Sequence, residues 1–151
     1  MEISENDFIF SDDKRRIDVK MVHSYLAYES YWAKNISISL VQKSIDHSLC
    51  FGIYRKQEQI GFARWITDEA TFGYLCDVFV LPAFRGMGLS KKLLSFMMLH
   101  PALQRLRRYQ LVTRDAHDLY KRFGFKTIAH PEQQMAIVME KPYIETPDDE
   151  I

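Results

Sequence analysis

The first positions with a helical spacing of apolar side chains follow Asp18. With Asp18 as the N-cap, a helix is predicted to run to about residue 33, because three apolar side chains then share one face: Val19, Val22 and Leu26. Ser37 is placed in the same way at the start of a second, shorter helix. A short strand is predicted near residues 7–10, before both helices.

Alternation of apolar and polar residues replaces the helical period in the middle of the chain. Residues 49–67 predict two strands joined by a tight polar turn at 56–59. Residues 72–81 predict a longer strand that ends at Pro82, because proline cannot donate to the strand ladder. Strict alternation gives this strand two faces, one formed by Tyr74, Cys76, Val78 and Val80 and the other by Leu75, Asp77 and Phe79.

The helical spacing returns after Gly88 and ends by Pro101. The apolar face of this predicted helix consists of Leu89, Leu93, Phe96 and Met97.

The last third of the chain predicts a strand at 107–113, a helix at 116–123 and a final alternating strand at 134–140. Asp115 is the predicted N-cap of the helix, and Gly124 is predicted to end it. The order of all these elements predicts a mixed α/β or α+β domain.

Length and composition are those of one globular domain, predicted to span residues 1–144 and to be followed by a disordered acidic tail at 145–151. Cys50 and Cys76 are too few for a disulfide framework and are predicted to be free thiols. The start of the chain lacks the pattern of a signal peptide, and no apolar run has membrane-spanning length. These features predict a cytoplasmic protein without a membrane partner.

Positive charge is concentrated in one part of a chain whose formal net charge is zero. Residues 84–126 contain ten Lys or Arg side chains, against only Asp115 and Asp118. This excess favours an anionic ligand, but a basic face exposed to water explains it equally well.

A glycine-containing turn, residues 85–90, lies where the strand at 72–81 passes into the helix after Gly88. The spacing does not fit a dinucleotide-binding fingerprint, since Lys91 stands where a third glycine is needed, and Leu89 after Gly88 excludes a Walker loop. The unpaired N–H groups and the dipole of a helix N-terminus nevertheless attract anions. Phosphate binding and a plain helix entry are both consistent with the turn taken alone.

Two segments in the right order resemble one known family. The segment "RGMGLS" (85–90) is similar to the Q/R-x-x-G-x-G/A signature of the GNAT superfamily of N-acetyltransferases and departs from it only at Ser90. The segment "AHDLYKRFGF" (116–125) is similar to the family's A-x-x-L-Y-x-x-x-GF segment, although Thr113 stands where the family often has asparagine. The resemblance implies a central, mostly antiparallel sheet with a splayed strand pair, flanked by about four helices.

The resemblance also implies that acetyl-CoA is the co-substrate. Its pyrophosphate is expected at the turn formed by Arg85, Gly86, Met87, Gly88, Leu89 and Ser90. Backbone amides of the strand before the turn are expected to bind the acetyl oxygen, with Phe79 and Val80 as the candidate residues.

The family mechanism implies direct attack of a primary amine on the thioester in a ternary complex. At the family's tyrosine position, Tyr120 is the candidate proton donor to the leaving sulfur, although packing in the core also accounts for it. Asp77 is a candidate base, acting through water, or a structural carboxylate. The amine acceptor itself is not identified, and its binding residues are predicted among aromatic side chains: Tyr31, Trp32 and Tyr74.

Other functions consistent with the sequence have weaker support. A GNAT fold that binds acetyl-CoA as a sensor or interaction module without turnover is the second hypothesis. No nucleic-acid partner is expected, because aromatic residues are not interleaved with the basic segment. No metal is expected, since no His/Cys cluster has ligand spacing, and the chain is expected to be a monomer or a homodimer.

Overall fold

The computed structural model describes residues 1–143, which form one six-stranded sheet. The strands lie in the sheet in their order along the chain, and all neighbours are antiparallel except the last pair, which is parallel. They are β1 Glu2–Glu5, β2 Phe8–Ser11, β3 Leu49–Arg55, β4 Glu58–Thr67, β5 Phe72–Val80 and β6 Arg108–Leu111. This arrangement confirms the predicted mixed fold with a mostly antiparallel sheet.

Four α-helices flank the sheet: α1 Val19–Ser24, α2 Ile38–Asp46, α3 Leu89–Met98 and α4 His117–Lys121. The predicted caps of the first two are confirmed, since Asp18 accepts the Met21 N–H at 3.0 Å and Ser37 accepts the Leu40 N–H at 3.4 Å. Within residues 1–143, no helix has both the length and the apolar character needed to cross a bilayer.

Both faces of the sheet are buried. Helix α3 covers one face, where Trp65, Leu75, Leu93 and Phe96 are among the buried residues. Helices α1 and α2 cover the other, where the buried residues include Val22, Leu26, Val41, Phe62 and Phe79. The central strands therefore carry apolar side chains on both faces, so their burial stabilises the two layers together.

The first helix is shorter than predicted. After α1 the chain makes one π-helical turn, Tyr25–Glu29, and then becomes extended at Ser30. The Ser30 N–H donates to Tyr25 O at 2.9 Å, and its hydroxyl oxygen accepts the Ala33 N–H at 3.1 Å. Ser30 thus provides hydrogen-bond partners for a backbone C=O and a backbone N–H at the end of the helix. The helix can therefore end before residue 33 without leaving these groups unpaired.

The predicted strand near 7–10 is β2, but it belongs to a hairpin. Strand β1 was not predicted, and it pairs antiparallel with β2 from Glu2 opposite Ser11 to Glu5 opposite Phe8. Asn6 lies in the connecting turn with φ 53°, a backbone conformation that asparagine tolerates better than most residues.

The predicted cap of α4 is wrong. Asp115 makes no cap bond to the helix, whereas the Thr113 hydroxyl oxygen accepts the Ala116 N–H at 3.0 Å. The helix ends at Lys121, two residues before its predicted end, and the turns that follow it finish at Gly124, which has φ 88°.

The predicted strand at 134–140 is also wrong. The segment has no regular structure, and its four large apolar side chains are exposed: Met135 97%, Ile137 95%, Val138 80% and Met139 70%. The physical reason is the lack of a ladder partner, because among the described residues β6 pairs only with β5. The tail predicted at 145–151 lies outside the described residues.

Candidate functional site

A bulge in β5 sets the geometry of the site. Asp77 has φ 53°, and the register between β4 and β5 shifts between Phe62 and Arg64. Strict alternation along β5 is therefore a wrong prediction, since Leu75 and Val80 lie in the core under α3 while Phe79 lies in the core under α1 and α2.

Beyond the bulge, β5 and β6 separate. Their parallel pairing runs only from Phe72 opposite Arg108 to Leu75 opposite Leu111, so the edge of β5 from Cys76 onward is open toward β6. This is the splayed strand pair expected from the resemblance.

The backbone groups on the open edge of β5 can be assigned from one hydrogen bond. The Leu81 N–H donates to Ile60 O of the β4 side at 2.9 Å. Because N–H groups alternate between the two edges of an antiparallel strand, the N–H of Phe79 points toward β4 and that of Val80 points toward the open edge. Val80 O accepts Arg85 Nε at 3.1 Å, which is consistent with this direction.

A cavity of about 270 Å³ lies where the strands separate. All five residues predicted to act on the acceptor or in catalysis line it: Tyr31, Trp32, Tyr74, Asp77 and Tyr120. They come from the segment after α1, from β5 and from α4, which are distant in sequence. The structure thus brings the predicted side chains to one place.

The Asp77 carboxylate is buried and fully engaged. One oxygen accepts Arg64 Nε at 2.6 Å, and the other accepts Trp32 Nε1 at 2.8 Å. Arg64 in turn donates from Nη1 to the Ser48 hydroxyl at 3.0 Å. The two acceptor bonds hold the bulge residue in its left-handed conformation and fix the indole of Trp32 at the cavity wall.

The surroundings of Tyr120 bear on both roles that the sequence left open for it, core packing and proton donation. Its ring packs against the core under α3 and lies edge-to-face with Phe125 at a centroid distance of 5.9 Å. Burial, followed by the nearby Tyr31 and Asp115, raises the pKa of its hydroxyl to about 12. The phenol is therefore protonated at neutral pH, as a hydrogen-bond donor must be.

The thiol of Cys76 lines the same cavity but is not activated. Burial, reinforced by the negative charge of Asp77, raises its pKa to about 12. Since the thiolate is the nucleophilic form, Cys76 is unreactive at neutral pH.

The charged residues among those that line the cavity are Asp77 and Asp115, and both are acidic. Asp115 is exposed and does not cap α4, so its carboxylate is available to a ligand. Sequence reasoning missed Asp115 because a cap was the simpler prediction for an aspartate before a helix. Its position just after β6, where the strand leaves the sheet, is the signal that points to it.

Two exposed aromatic rings form the outer wall. Tyr31 and Trp32 lie edge-to-face at 5.0 Å, and the Arg114 guanidinium lies 3.8 Å from the centre of the Tyr31 ring. This stacking fixes the tyrosine although half of it is exposed.

Both glycines of the turn have a left-handed backbone. Gly86 has φ 79° and Gly88, the N-cap of α3, has φ 73°. A Cβ at either glycine would meet no heavy atom of the described chain within 4 Å, so glycine is favoured here by the left-handed backbone and not by crowding. Gly88 has no side chain to cap the helix, which leaves the first N–H groups of α3 directed at open space.

The remaining residues of the turn differ in the exposure and the hydrogen bonds of their side chains. Leu89 is buried, so only its backbone is available, while Ser90 is half-buried and Met87 is 53% exposed. The Arg85 guanidinium donates from Nη2 to the Tyr25 hydroxyl at 3.0 Å as well as from Nε to Val80 O. Arg85 therefore ties the turn to β5 and to the π-helical turn after α1.

Comparison with known proteins assigns this arrangement to a family. A family profile described as "Acetyltransferase (GNAT) domain" matches residues 46–127. A relative from Gibberella zeae, named "Putative acetyltransferase", is 32% identical over 146 residues, covering 82% of this chain and 81% of the relative.

Solved structures agree. A protein of Xanthomonas campestris pv. campestris, described as "a putative acetyltransferase belonging to the gnat family", has a TM-score of 0.89 and 46% identity over 93% of this chain and 99% of the other. A Clostridium acetobutylicum protein described as a "predicted acetyltransferase with acetyl-CoA" has a TM-score of 0.63 and 15% identity over 87% of this chain and 94% of the other, which shows the shared fold.

Proposed function

This chain belongs to the GNAT family of acetyltransferases, and from that premise we propose that it transfers the acetyl group of acetyl-CoA to a primary amine by direct attack in a ternary complex. The observation that carries the proposal is the cavity where β5 separates from β6, which Asp77, Val78 and Tyr120 line, with the glycine turn following at the end of the same strand. Bound acetyl-CoA supplies an acetyl thioester, whose C–S bond breaks as the N–C bond to the acceptor forms, while the proton lost from nitrogen balances the charge of the thiolate.

The N-terminus of α3 is the proposed binding site for the pyrophosphate. Left-handed glycines at 86 and 88 let the backbone approach an anion closely, and the uncapped N–H groups of Leu89 and Ser90 supply donors. Lys91 is exposed nearby and adds positive potential. Arg85 supports the site by fixing the turn, since two of its nitrogens already donate within the protein.

The open edge of β5 is the proposed site for the acetyl oxygen. The direction of backbone groups favours the N–H of Val80 over that of Phe79, which points toward β4. A preorganised N–H donor stabilises the negative charge that develops on this oxygen during acyl transfer.

Tyr120 is the proposed hydrogen-bond donor to the leaving sulfur. Its pKa of about 12 exceeds that of an ordinary thiol, about 8.5, so full proton transfer to the thiolate would be uphill by about 5 kcal/mol. Donation of a hydrogen bond without transfer has no such penalty and stabilises the thiolate as it forms. The proton that the sulfur finally receives comes from the amine or from solvent.

Asp77 is a positioning residue in this proposal. Both oxygens of its carboxylate accept hydrogen bonds from Arg64 and Trp32, so taking a proton would break a buried ion pair. Its role is to hold the bulge that opens β5 and to orient Trp32.

The acceptor is proposed to be a primary amine that arrives as an ammonium ion and loses one proton to solvent before the neutral amine attacks. The cavity has acidic and aromatic walls, and its available carboxylate is Asp115. A carboxylate attracts the cation by charge, while Tyr31, Trp32 and Tyr74 offer ring faces and edges to its carbon skeleton.

The proposal is tested with a thiol-release assay and with acetyl-CoA binding measured by calorimetry. Gly88→Ala places a Cβ where the pyrophosphate is proposed to lie and should weaken acetyl-CoA binding at least tenfold, about 1.4 kcal/mol. Gly124→Ala is the matched control, because Gly124 also has a left-handed backbone and open space around it. Both variants should lose similar stability, about 1–2 kcal/mol, but Gly124→Ala should bind acetyl-CoA normally.

Three results would count against the proposal. Equal loss of binding in both variants would mean that stability, and not the turn, limits binding. No binding by the wild-type chain would refute acetyl-CoA as the co-substrate. Tight binding without thiol release across small amines, polyamines, amino acids and peptides would favour the sensor or interaction module over the enzyme.

A further inference from the structure

The aromatic wall formed by Tyr31 and Trp32 borders two spaces. One is the cavity beside Tyr120 described above, which we call the inner cavity. The other is a groove of about 600 Å³, which we call the outer groove, and its lining consists of Tyr31, Trp32, Lys34, Asn35 and Met139–Tyr143. Since both rings line both spaces, a ligand that is longer than a ring is wide can reach from the inner cavity past the wall into the outer groove.

The two spaces differ in the charge of their linings. Among the described residues that line the inner cavity, the charged ones are acidic, and Asp115 is the one that remains for a ligand because Asp77 is paired with a buried arginine. The charged residues of the outer groove are Lys34, Lys141 and Glu140, which leaves one positive charge in excess. The charge of the lining therefore changes from negative to positive across the wall.

Arg114 is the cation that contacts the wall itself. Its residue is exposed, and its guanidinium lies over the Tyr31 ring, 3.8 Å from the ring centre. None of the ion pairs found within residues 1–143 includes Arg114. A guanidinium that lies over a ring keeps the N–H groups at its edge available, and their planar fork matches the two oxygens of a carboxylate. Arg114 is thus preorganised to bind a carboxylate next to the acceptor's binding site.

We propose that the acceptor carries a carboxylate in addition to its amine, an inference that rests on the proposed function and deepens it. The amine lies in the inner cavity near Asp115, the carbon chain passes the wall of Tyr31 and Trp32, and the carboxylate binds Arg114. The two lysines of the outer groove add positive potential around the carboxylate. In an α-amino acid both charged groups are bonded to one carbon atom, which is too short a link to pass an aromatic ring. The acceptor is therefore an amino acid whose amine lies several bonds from its carboxylate.

The same charges act against amines of another class. A diamine or polyamine with one nitrogen in the inner cavity would bring its second cation toward Arg114 and the lysines of the outer groove. Repulsion between like charges disfavours this arrangement, so the wall selects against polyamines as well as for acids.

The first test compares acceptors in the thiol-release assay. The compounds 6-aminohexanoate and 6-aminohexanamide have the same length and the same amine, but only the first has a carboxylate. The wild-type chain should give 6-aminohexanoate a kcat/KM at least fivefold higher, about 1 kcal/mol. The shorter 3-aminopropanoate and the diamine 1,6-diaminohexane should both be poorer acceptors than 6-aminohexanoate.

A matched pair of variants assigns the preference to Arg114. Arg114→Gln should bring the ratio of the two kcat/KM values close to one. Arg105→Gln should keep the full preference, because Arg105 is also exposed and outside the ion pairs found within residues 1–143, but it precedes β6 whereas Arg114 follows it. A weakened aromatic wall would slow both acceptors equally and leave the ratio unchanged. A preference that survives in Arg114→Gln would therefore overturn the proposal.

The second test measures binding and needs no turnover. Of the two tryptophans in the chain, Trp65 is fully buried and Trp32 is 40% exposed, so a ligand beside the wall changes mainly the fluorescence of Trp32. In titrations with coenzyme A present, 6-aminohexanoate should bind at least fivefold more tightly than 6-aminohexanamide.

The two tests distinguish failure of this inference from failure of the proposed function. Thiol release at equal kcat/KM from the acid and the amide would overturn the inference and leave the proposed function intact. The absence of thiol release with every amine would refute the proposed function. The fluorescence titrations would then decide the inference, since a fivefold preference for the acid supports a carboxylate site and equal affinities overturn it.

Discussion

Replacing Asp77 with asparagine separates the charge of this residue from its effect on the backbone. Asparagine keeps the shape and adopts a left-handed backbone as readily as aspartate, so φ 53° remains accessible. The change removes the negative charge beside Arg64, whose side chain is 15% exposed, and replaces one of the two acceptor oxygens with an NH2 group that faces a donor.

The magnitude follows from the burial of the pair. Removing one partner of a buried ion pair costs about 3–5 kcal/mol, and the retained acceptor lowers this to about 2–3 kcal/mol for Asp77→Asn. In a chain of this size that corresponds to a fall in melting temperature of roughly 4–12 °C. Asp77→Ala loses both hydrogen bonds and adds about 1–2 kcal/mol for a left-handed alanine, so its cost should reach about 4–7 kcal/mol.

The assay combines urea unfolding with thiol-release kinetics. A positioning role predicts that Asp77→Asn raises KM for the amine and leaves the shape of the pH–rate profile unchanged. Asp7→Asn is the control, because Asp7 is exposed on the N-terminal hairpin. A loss of stability below about 0.5 kcal/mol, which lies within the range of ordinary surface substitutions, together with a fall in kcat above 100-fold, would refute the reasoning and identify Asp77 as a base.

Three further outcomes are expected. Tyr120→Phe should lower kcat about 10–100-fold with KM for acetyl-CoA nearly unchanged, since it removes one donor to the sulfur, and an unchanged kcat would assign Tyr120 to packing alone. Because folding raises the pKa of Tyr120 from 10 to about 12, the wild-type chain should lose stability as the pH rises from about 10 toward 12, and Tyr120→Phe should lose less in urea titrations across that range. Asp115→Asn should raise KM for a cationic amine about 3–10-fold with a smaller change in kcat, and a loss of this effect in high salt would confirm that it is electrostatic.

Local signals in the sequence were sufficient to predict where α1 and α2 begin and where the glycine turn lies. Asp18 and Ser37 cap their helices as predicted, because a cap depends on a side chain and a backbone N–H three residues away. Gly86 and Gly88 form a left-handed turn for an equally local reason. The two segments that resemble the GNAT family include this turn and Tyr120.

Pairing between strands was not determined locally. The bulge at Asp77 depends on Arg64 and Trp32, which reach the carboxylate from two other parts of the chain. Because one extra residue reverses every later side chain, strict alternation assigned the residues of β5 to the wrong faces. The prediction of a strand at 134–140 was wrong for a related reason. Alternation of apolar and polar residues indicates that a segment is suited to a sheet, but it does not indicate that a neighbouring strand is available for pairing.

The sequence by itself therefore determined the caps of α1 and α2 and the turn at the start of α3, because each depends on neighbours within a few residues, while the order of the predicted elements indicated the class of fold. Only the tertiary structure decided that Asp77 is held by two donors, that Asp115 lines the cavity and that Arg85 anchors the turn. These are contacts between segments far apart in the chain. Their geometry depends on the bend of the sheet at the β5 bulge and on the separation of β5 from β6 beyond Leu75.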